Sequence, residues 1–482
     1  MHTALPYDCW KAIAEHLPHN DLPALSLVSK DIRSTVEPLL YCTISWPWDE
    51  PVPTRRILRL LRTITHRPEL SSHIHHLSLV STRDVFSSEP WTPPGSDLDW
   101  DAEQAEYRDV VSLAQDLVDD ALFPDAGKWK QALRDGDPHA FASILLSRLH
   151  NLRSLRLDYK FVWMSGLPGL MLKHALNPTT PASAGGTASL PTFQFLETVD
   201  YGSNARIAQR IEEEFELDTI EGYPDCEPEQ FKAWFYLPAL KALAIWLRDA
   251  RDINTNSNIH QLHTLILARA TISEADVPRL LSQTTPALHT LHLGLAYRWG
   301  QETTLANGTE LLRGLDAIAP SITNVSLGLE YYPPTFGEYY LDNEEEEARR
   351  APFDGFLLRL RSPRRVEVPV TLLVGWDSTR SLDDLSAVLP ASVEEVCIRL
   401  DFGGVGSMDW TEVSLLEWVE RHLEGLVSKR PNVREVVLRT WAPLKVDWSE
   451  EKRVEVSEMC AKVGVRLDVV DDELGVGLWT RV

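Results

Sequence analysis

One short phrase recurs along most of this chain: an apolar residue, two others, a second apolar residue, one other, and a third apolar residue. It reads Ile74-Leu77-Leu79, Leu152-Leu155-Leu157, Leu196-Val199-Tyr201, Leu240-Leu243-Ile245 and Leu262-Leu265-Leu267. It returns as Leu288-Leu291-Leu293, Ile322-Val325-Leu327, Val393-Val396-Ile398 and Val433-Val436-Leu438. Side chains of a strand point alternately to its two faces, so the closing apolar-other-apolar step predicts a short strand with one buried face. Several copies follow a Pro-containing turn, as in LPAL, TTPAL, APSI, LPASV and RPNV. A strand-sized unit cannot bury its apolar face alone, so a chain built from such units must stack them. The middle residues support repeat-sized spacing: Leu243 to Leu265 is 22 residues and Leu265 to Leu291 is 26. Leu155 to Val199 and Val199 to Leu243 are each 44, twice that, and Leu77 to Leu155 is 78, which leaves room for the longest insertion.

The phrase resembles the L-x-x-L-x-L strand segment of leucine-rich repeats. The resemblance implies an α/β fold, an irregular leucine-rich-repeat-like solenoid over residues 70–482, with insertions near 84–145, 174–190 and 342–352. The chain departs from the pattern where an Asn or Cys would stand three residues after the last apolar position; Lys160, Ala270 and Ala296 stand there instead. Without an asparagine row the repeats must satisfy those backbone groups otherwise, and are expected to be irregular and partly helical. An unrelated α/β sheet whose strands read alike is the alternative. Helical spacing is also legible from Trp100 to Leu117 and from Trp129 to Leu149, whereas Asn177 to Leu190 and the acidic run Asp342 to Glu347 read as surface loops.

A different pattern fills the N-terminus. Trp10, Ile13, Ala14 and Leu17 form one apolar stripe of a helix that Pro18 closes. Asn20 and Asp21 can cap a second short helix lined by Leu22, Leu25 and Val28, with Pro23 in its first turn. A third begins near Ser29 or Asp31 and carries Ile32, Val36 and Leu39 or Leu40, with Pro38 ending or kinking it. Three helices in so few residues bury little apolar area alone, so part of their apolar surface is expected to meet the following domain or a partner. Residues 46–56 (SWPWDEPVPTR) read as the start of a connector.

The string LPYDCWKAIAEHLPHNDLPALSLVSKDIRSTVEPLLY resembles the F-box, particularly the version seen in fungal proteins. The matching features are Leu5-Pro6, the Ile13 to Leu17 helix, the Asp21-Leu22 start, the run Leu27-Val28-Ser29-Lys30, and Pro38-Leu39-Leu40-Tyr41 at the close. The resemblance implies a three-helix F-box over 1–45, a connector over 46–69, and the solenoid beyond. It further implies a substrate-recognition subunit of an SCF-type ubiquitin ligase, which binds a Skp-type adaptor and through it cullin and RING subunits. Leu5, Pro6, Ile13, Leu17, Leu22, Leu25 and Val28 would supply or shape the adaptor contact, and the rest of the chain would hold a protein substrate. A non-ubiquitinating F-box scaffold and a solenoid that senses a small molecule are the rival expectations.

Chemistry-bearing motifs are sparse. No Gly-rich turn ends in Gly-Lys-Ser/Thr, no Ser sits in G-x-S-x-G, and Phe402-Gly-Gly-Val-Gly406 lacks the last glycine of a dinucleotide fingerprint. His73, His75 and His76 flank a strand whose successive side chains diverge, so no metal is expected there, and no cofactor is expected anywhere. Cys9, Cys42, Cys226, Cys397 and Cys460 are scattered and odd in number, which argues against a disulfide framework or zinc site. The excess of 71 Asp and Glu over 47 Lys and Arg disfavours nucleic acid and anionic membranes as partners. With no signal-peptide pattern at the start and no long apolar run, cytoplasm or nucleus is the expected location, and no enzyme activity is expected.

A substrate strip can be guessed from strand alternation. The residue between the last two apolar positions should face away from the core, which selects Arg156, Asp200, His292 and Val437. The positions just after the phrase add Asp158, Trp246, Arg399 and Arg439. Together they would form an exposed, mixed-charge surface with one aromatic anchor.

Overall fold

The computed structural model describes residues 7–49, 52–81, 105–162, 166–176, 190–204, 229–247, 250, 253, 257–284, 286–298, 308–332, 355–375, 385–400, 410–441 and 450–472. The chain divides into two compact units: residues 1–82, 91–199 and 236–240 make the first, and 83–90, 200–235 and 241–482 the second. In each, the strands are hydrogen-bonded in the order in which the chain makes them.

The first unit opens with α1 (Tyr7–Glu15), α2 (Leu22–Ser26) and α3 (Lys30–Cys42). Ser29 starts α3 in extended backbone, its hydroxyl accepting the Ile32 N–H at 3.2 Å. Pro38 sits inside α3 without ending it; the helix runs on to Cys42 and passes directly into β1 (Thr43–Pro47). Helix α4 (Thr54–His66) comes after the strand, burying Ile57, Leu58, Leu60, Leu61 and Ile64. The expected connector over 46–69 therefore carries a strand end and a whole helix. Its apolar stripe is masked in sequence by the Pro/Trp-rich lead-in and by the arginines interleaved with it. Next come β2 (His76–Val80), α5 (Arg108–Asp120), α6 (Ala126–Arg134), α7 (Pro138–Leu146), β3 (Ser154–Leu157), α8 (Leu167–Leu176) and β4 (Thr198–Tyr201), whose last two residues belong to the second unit. The described part of the insertion expected near 84–145 is helical, α5, α6 and most of α7. Residues 177–189 and 333–354, which contain most or all of the other two expected insertions, lie outside the described residues. Strands β1, β2 and β3 pair in parallel, with Ile44 beside Leu77 and Leu77 beside Leu155.

The second unit contains α9 (Glu229–Lys232), β5 (Ala242–Ile245), β6 (Thr264–Ala270), α10 (Asp276–Ser282), β7 (Thr290–Arg298), α11 (Thr309–Ile318), β8 (Asn324–Tyr332) and β9 (Arg365–Pro369). It continues with α12 (Val370–Val374), β10 (Glu395–Arg399), α13 (Glu412–Lys429), β11 (Glu435–Trp441), α14 (Glu450–Lys462) and β12 (Arg466–Asp472). From β5 to β12 every pairing is parallel, and one apolar row crosses all eight strands: Leu243, Leu265, Leu291, Val325, Val366, Val396, Val436 and Leu467.

All nine copies of the sequence phrase fall on strands or the residues leading into them, and every apolar residue in them is buried. A second regularity is carried by main-chain atoms, which no sequence motif displays. The carbonyl just before one strand accepts the N–H groups of the residue before the next strand and of that strand's first residue. In the second unit Lys241 O takes His263 and Thr264, His263 O takes His289 and Thr290, and His289 O takes Thr323 and Asn324, at 2.8–3.1 Å. Thr323 O, Arg364 O and Glu394 O continue the ladder at 2.7–3.3 Å. The first unit repeats it, with His75 O taking Arg153 and Ser154, and Arg153 O taking Glu197 and Thr198. Backbone groups at the strand starts are thus satisfied whatever side chains stand there, which lets the repeats diverge in sequence.

Candidate functional site

Helices α1–α3 share a small core of Ala14, Leu22, Ile32 and Val36, against which Trp10, Leu17, Leu25, Leu39 and Leu40 pack half-buried. The chain enters α3 through two residues with their own backbone bonds, Leu27 N to Ala24 O and Val28 N to Leu25 O. Those bonds hold the turn between α2 and α3 in place while both side chains point outward. Eight large apolar side chains are exposed among the described residues, and four of them lie here: Tyr7 at 58 %, Ile13 at 42 %, Leu27 at 83 % and Val28 at 66 %. Four such side chains on one short module leave apolar area in water, which water does not favour.

The expected adaptor residues divide accordingly. Ile13 and Val28 are exposed and Leu17 and Leu25 half-buried, while Leu22 belongs to the core and can only shape the surface. Leu5 and Pro6 lie outside the described residues. Tyr7 and Leu27 join the surface without a periodic signal in the sequence. Tyr7 precedes the apolar stripe of α1, and Leu27 falls one residue past the end of α2, where helical spacing no longer applies.

Besides the α3–β1 continuity, one ion pair ties the module to the segment just past α4. Arg67 there spans both carboxylate oxygens of Glu37 on α3 at 2.6 and 2.7 Å. The hydrogen bonds from Arg67 hold the Glu37 carboxyl below its ordinary value, against the effect of burial, with further help from the charges of Arg67, Arg33 and His73. On α4 itself, Arg62 donates to Asp109 at 2.6 and 3.0 Å and lies 4.7 Å over the Tyr107 ring.

The expected substrate strip is largely interior. Of its eight candidates only Arg156 is exposed; Asp158, Asp200, Trp246, His292, Arg399, Val437 and Arg439 are buried. Each of the buried ones except the apolar Val437 has an internal bond. Asp158 accepts from the N–H groups of Ser81 and Lys160, and Asp200 from that of Ser203. Trp246 donates its indole N–H to Arg269 O at 2.9 Å, and His292 Nδ1 lies 2.8 Å from Ser326 Oγ. Arg399 reaches the buried Glu367 carboxylate at 2.7 Å, and Arg439 bonds the same oxygen. Gly328 leaves the space that the Arg399 guanidinium needs, since an added Cβ would stand 3.3 Å from it. Strand alternation misplaces these residues because both faces of these strands are buried. A polar side chain at an alternate position is here paired inside rather than solvated.

Two further clusters carry less chemistry than their residues suggest. Asp137 caps α7, its carboxylate accepting both the backbone N–H and the ring Nδ1 of His139 at 2.8 and 3.0 Å. Burial pushes this carboxyl up, but the His139 ring and the backbone N–H groups outweigh it and leave it below its ordinary value. His139 packs against both Trp48 and Phe161, so the pair reads as a helix start buried in aromatic packing. Among the described residues no group of three or more His, Cys, Asp or Glu could hold a metal ion, and no helix is long and apolar enough to cross a membrane.

No curated protein matches the chain. Set against known protein families, residues 3–40, which hold α1, α2 and all but the last two residues of α3, match the F-box domain.

Proposed function

We propose that this protein is a substrate-recognition subunit of an SCF-type cullin–RING ubiquitin ligase. Its F-box docks on a Skp-type adaptor, which brings the cullin and RING subunits, and the remainder of the chain holds a protein substrate. The observation that carries this reading is the exposed apolar set Tyr7, Ile13, Leu27 and Val28 on a module that matches the F-box. Burying those side chains against a partner removes apolar surface from water, at about 1.5–3 kcal/mol for each large side chain fully covered. Residues Leu17, Leu22 and Leu25 hold the surface in shape, and the F-box resemblance implies that Leu5 and Pro6 supply or shape the same contact. The parallel strands in chain order support reading the region beyond the F-box as a divergent leucine-rich-repeat-like solenoid of the kind fungal F-box proteins carry. The protein itself breaks no bond; it raises the local concentration of a substrate's lysines near the ubiquitin-charged enzyme. Such a ligase works in cytoplasm or nucleus.

The test is affinity purification under proteasome block, comparing the intact protein with the double variant I13D/L27D. Adaptor, cullin and RING subunit should accompany the intact protein and be lost from the variant, while the substrate accompanies both. Absence of the adaptor from both would overturn the reading. Adaptor without cullin would make the protein a scaffold that does not direct ubiquitin transfer.

A further inference from the structure

The basic residues of this chain are unevenly divided. Of 47, only 12 are lysine and 35 arginine, and between Lys241 and Lys429 there are fifteen arginines and no lysine. Dealt at the overall ratio, about four of those fifteen would be lysine. At two of the exposed places packing does not demand arginine. On α11, Arg313 pairs with Glu310 at 2.8 Å across i,i+3, and outside the stretch Lys232 makes the same pair with Glu229 at 2.8 Å. Arg359 meets Asp316 through one nitrogen at 2.9 Å, as Lys130 meets Asp119 at 2.6 Å elsewhere. The two side chains are thus structurally interchangeable at these sites, yet only one is used.

They are not interchangeable toward an activated acyl group. A deprotonated lysine Nζ attacks the thioester carbonyl of ubiquitin on its carrier enzyme. The N–C isopeptide bond forms, the C–S bond breaks, and the cysteine thiolate leaves as the amine gives up its proton. A guanidinium keeps its proton and delocalises its lone pair, so it supplies charge without an acceptor amine. We propose that residues 242–428 are kept free of lysine because they lie within reach of the ubiquitin-charged enzyme, so that this region presents a substrate's lysines without competing with its own. The inference rests on the ligase reading above. A resident amine held there by the assembly would act as an intramolecular acceptor at high effective concentration and would divert ubiquitin onto the receptor.

The experiment installs acceptors without changing charge. Arg313, Arg359 and Arg364 have side chains 65, 47 and 61 % exposed, and R313K, R359K, R364K and the triple variant keep the positive charge at each position. Each full-length variant is assembled with a Skp-type adaptor, cullin and RING subunit and supplied with activating and conjugating enzymes and ubiquitin. Modified lysines are then mapped by mass spectrometry over time. The introduced lysines should take ubiquitin roughly tenfold faster than the resident exposed lysines of the unmodified chain. Introduced lysines that remain bare in the assembled complex, or react no faster than resident ones, overturn the proposal and leave the ligase reading standing. Failure of the unmodified chain to assemble with the adaptor overturns both.

Discussion

The N-terminal helices and the strands beyond Lys241 dispose of their side chains in opposite ways. Helices α1–α3 fully bury only four apolar residues and leave four large ones in water. Strands β5–β12 bury every apolar residue of the recurring phrase and bury charge as well, with Arg399 and Arg439 sharing the carboxylate of Glu367. The contrast shows where each region finds the contacts for these side chains. On the proposed reading an adaptor covers the open apolar side chains of the helices, whereas the buried ions of the strands are already paired within the fold. Neither an apolar nor a polar residue reveals its surroundings alone; what decides is whether its own fold supplies the contact.

The largest expected effect lies in the closed region. Glu367→Leu takes away the carboxylate that two guanidiniums share and should cost about 3–5 kcal/mol, the usual loss on breaking a buried ion pair. Urea denaturation monitored by tryptophan fluorescence would read it. Replacing Glu367, Arg399 and Arg439 together with apolar residues should recover most of that loss, and a silent E367L would show that these charges are not held in a paired interior. On the helical side, Ser29→Ala removes the hydroxyl that starts α3 and should cost about 1 kcal/mol in the same assay. A loss near zero would mean that α3 is held by packing alone.

The smallest effect concerns the tie between the two kinds of structure within the first unit. The Glu37 carboxyl is depressed in the folded state, so its contribution is complete above the unfolded-state value and is lost as pH falls through the folded one. Arg67→Ala should therefore cost only a little stability at neutral pH, because Arg67 is partly exposed and solvent screens the pair. The variant should also lose less stability than the unmodified protein on acidification. An equal slope with pH would show that Arg67 is not what lowers Glu37.

Much of this contrast is legible in sequence, and the failures have physical causes. Nine strands announce themselves because three apolar positions are filled in each. By register the corresponding first positions of β9 and β12 are Pro363 and Gly464, so the phrase is broken although Val366 and Leu467 keep the middle row, and in β1 the phrase Tyr41-Ile44-Trp46 is filled but begins inside α3. The helix of 54–66 is hidden by the Pro-rich segment before it. The apolar stripe of α1 is readable, but helical spacing cannot separate Ala14, which is buried, from Ile13 beside it, which is not. Burial of His292 and Arg399 is unreadable because it depends on Glu367 and Ser326 arriving from other strands.

The central claim is that the exposed apolar residues of α1 and the α2–α3 turn are the docking surface and that Leu22 is only its support. Calorimetric titration of a Skp-type adaptor into the unmodified protein, I13D/L27D and L22A, with the melting temperature of each, tests it most directly. I13D/L27D should melt like the unmodified protein and bind roughly a hundredfold more weakly, as loss of interface anchors does. L22A should melt lower, its binding weakened only as far as the module unfolds. I13D/L27D binding at full affinity would contradict the account.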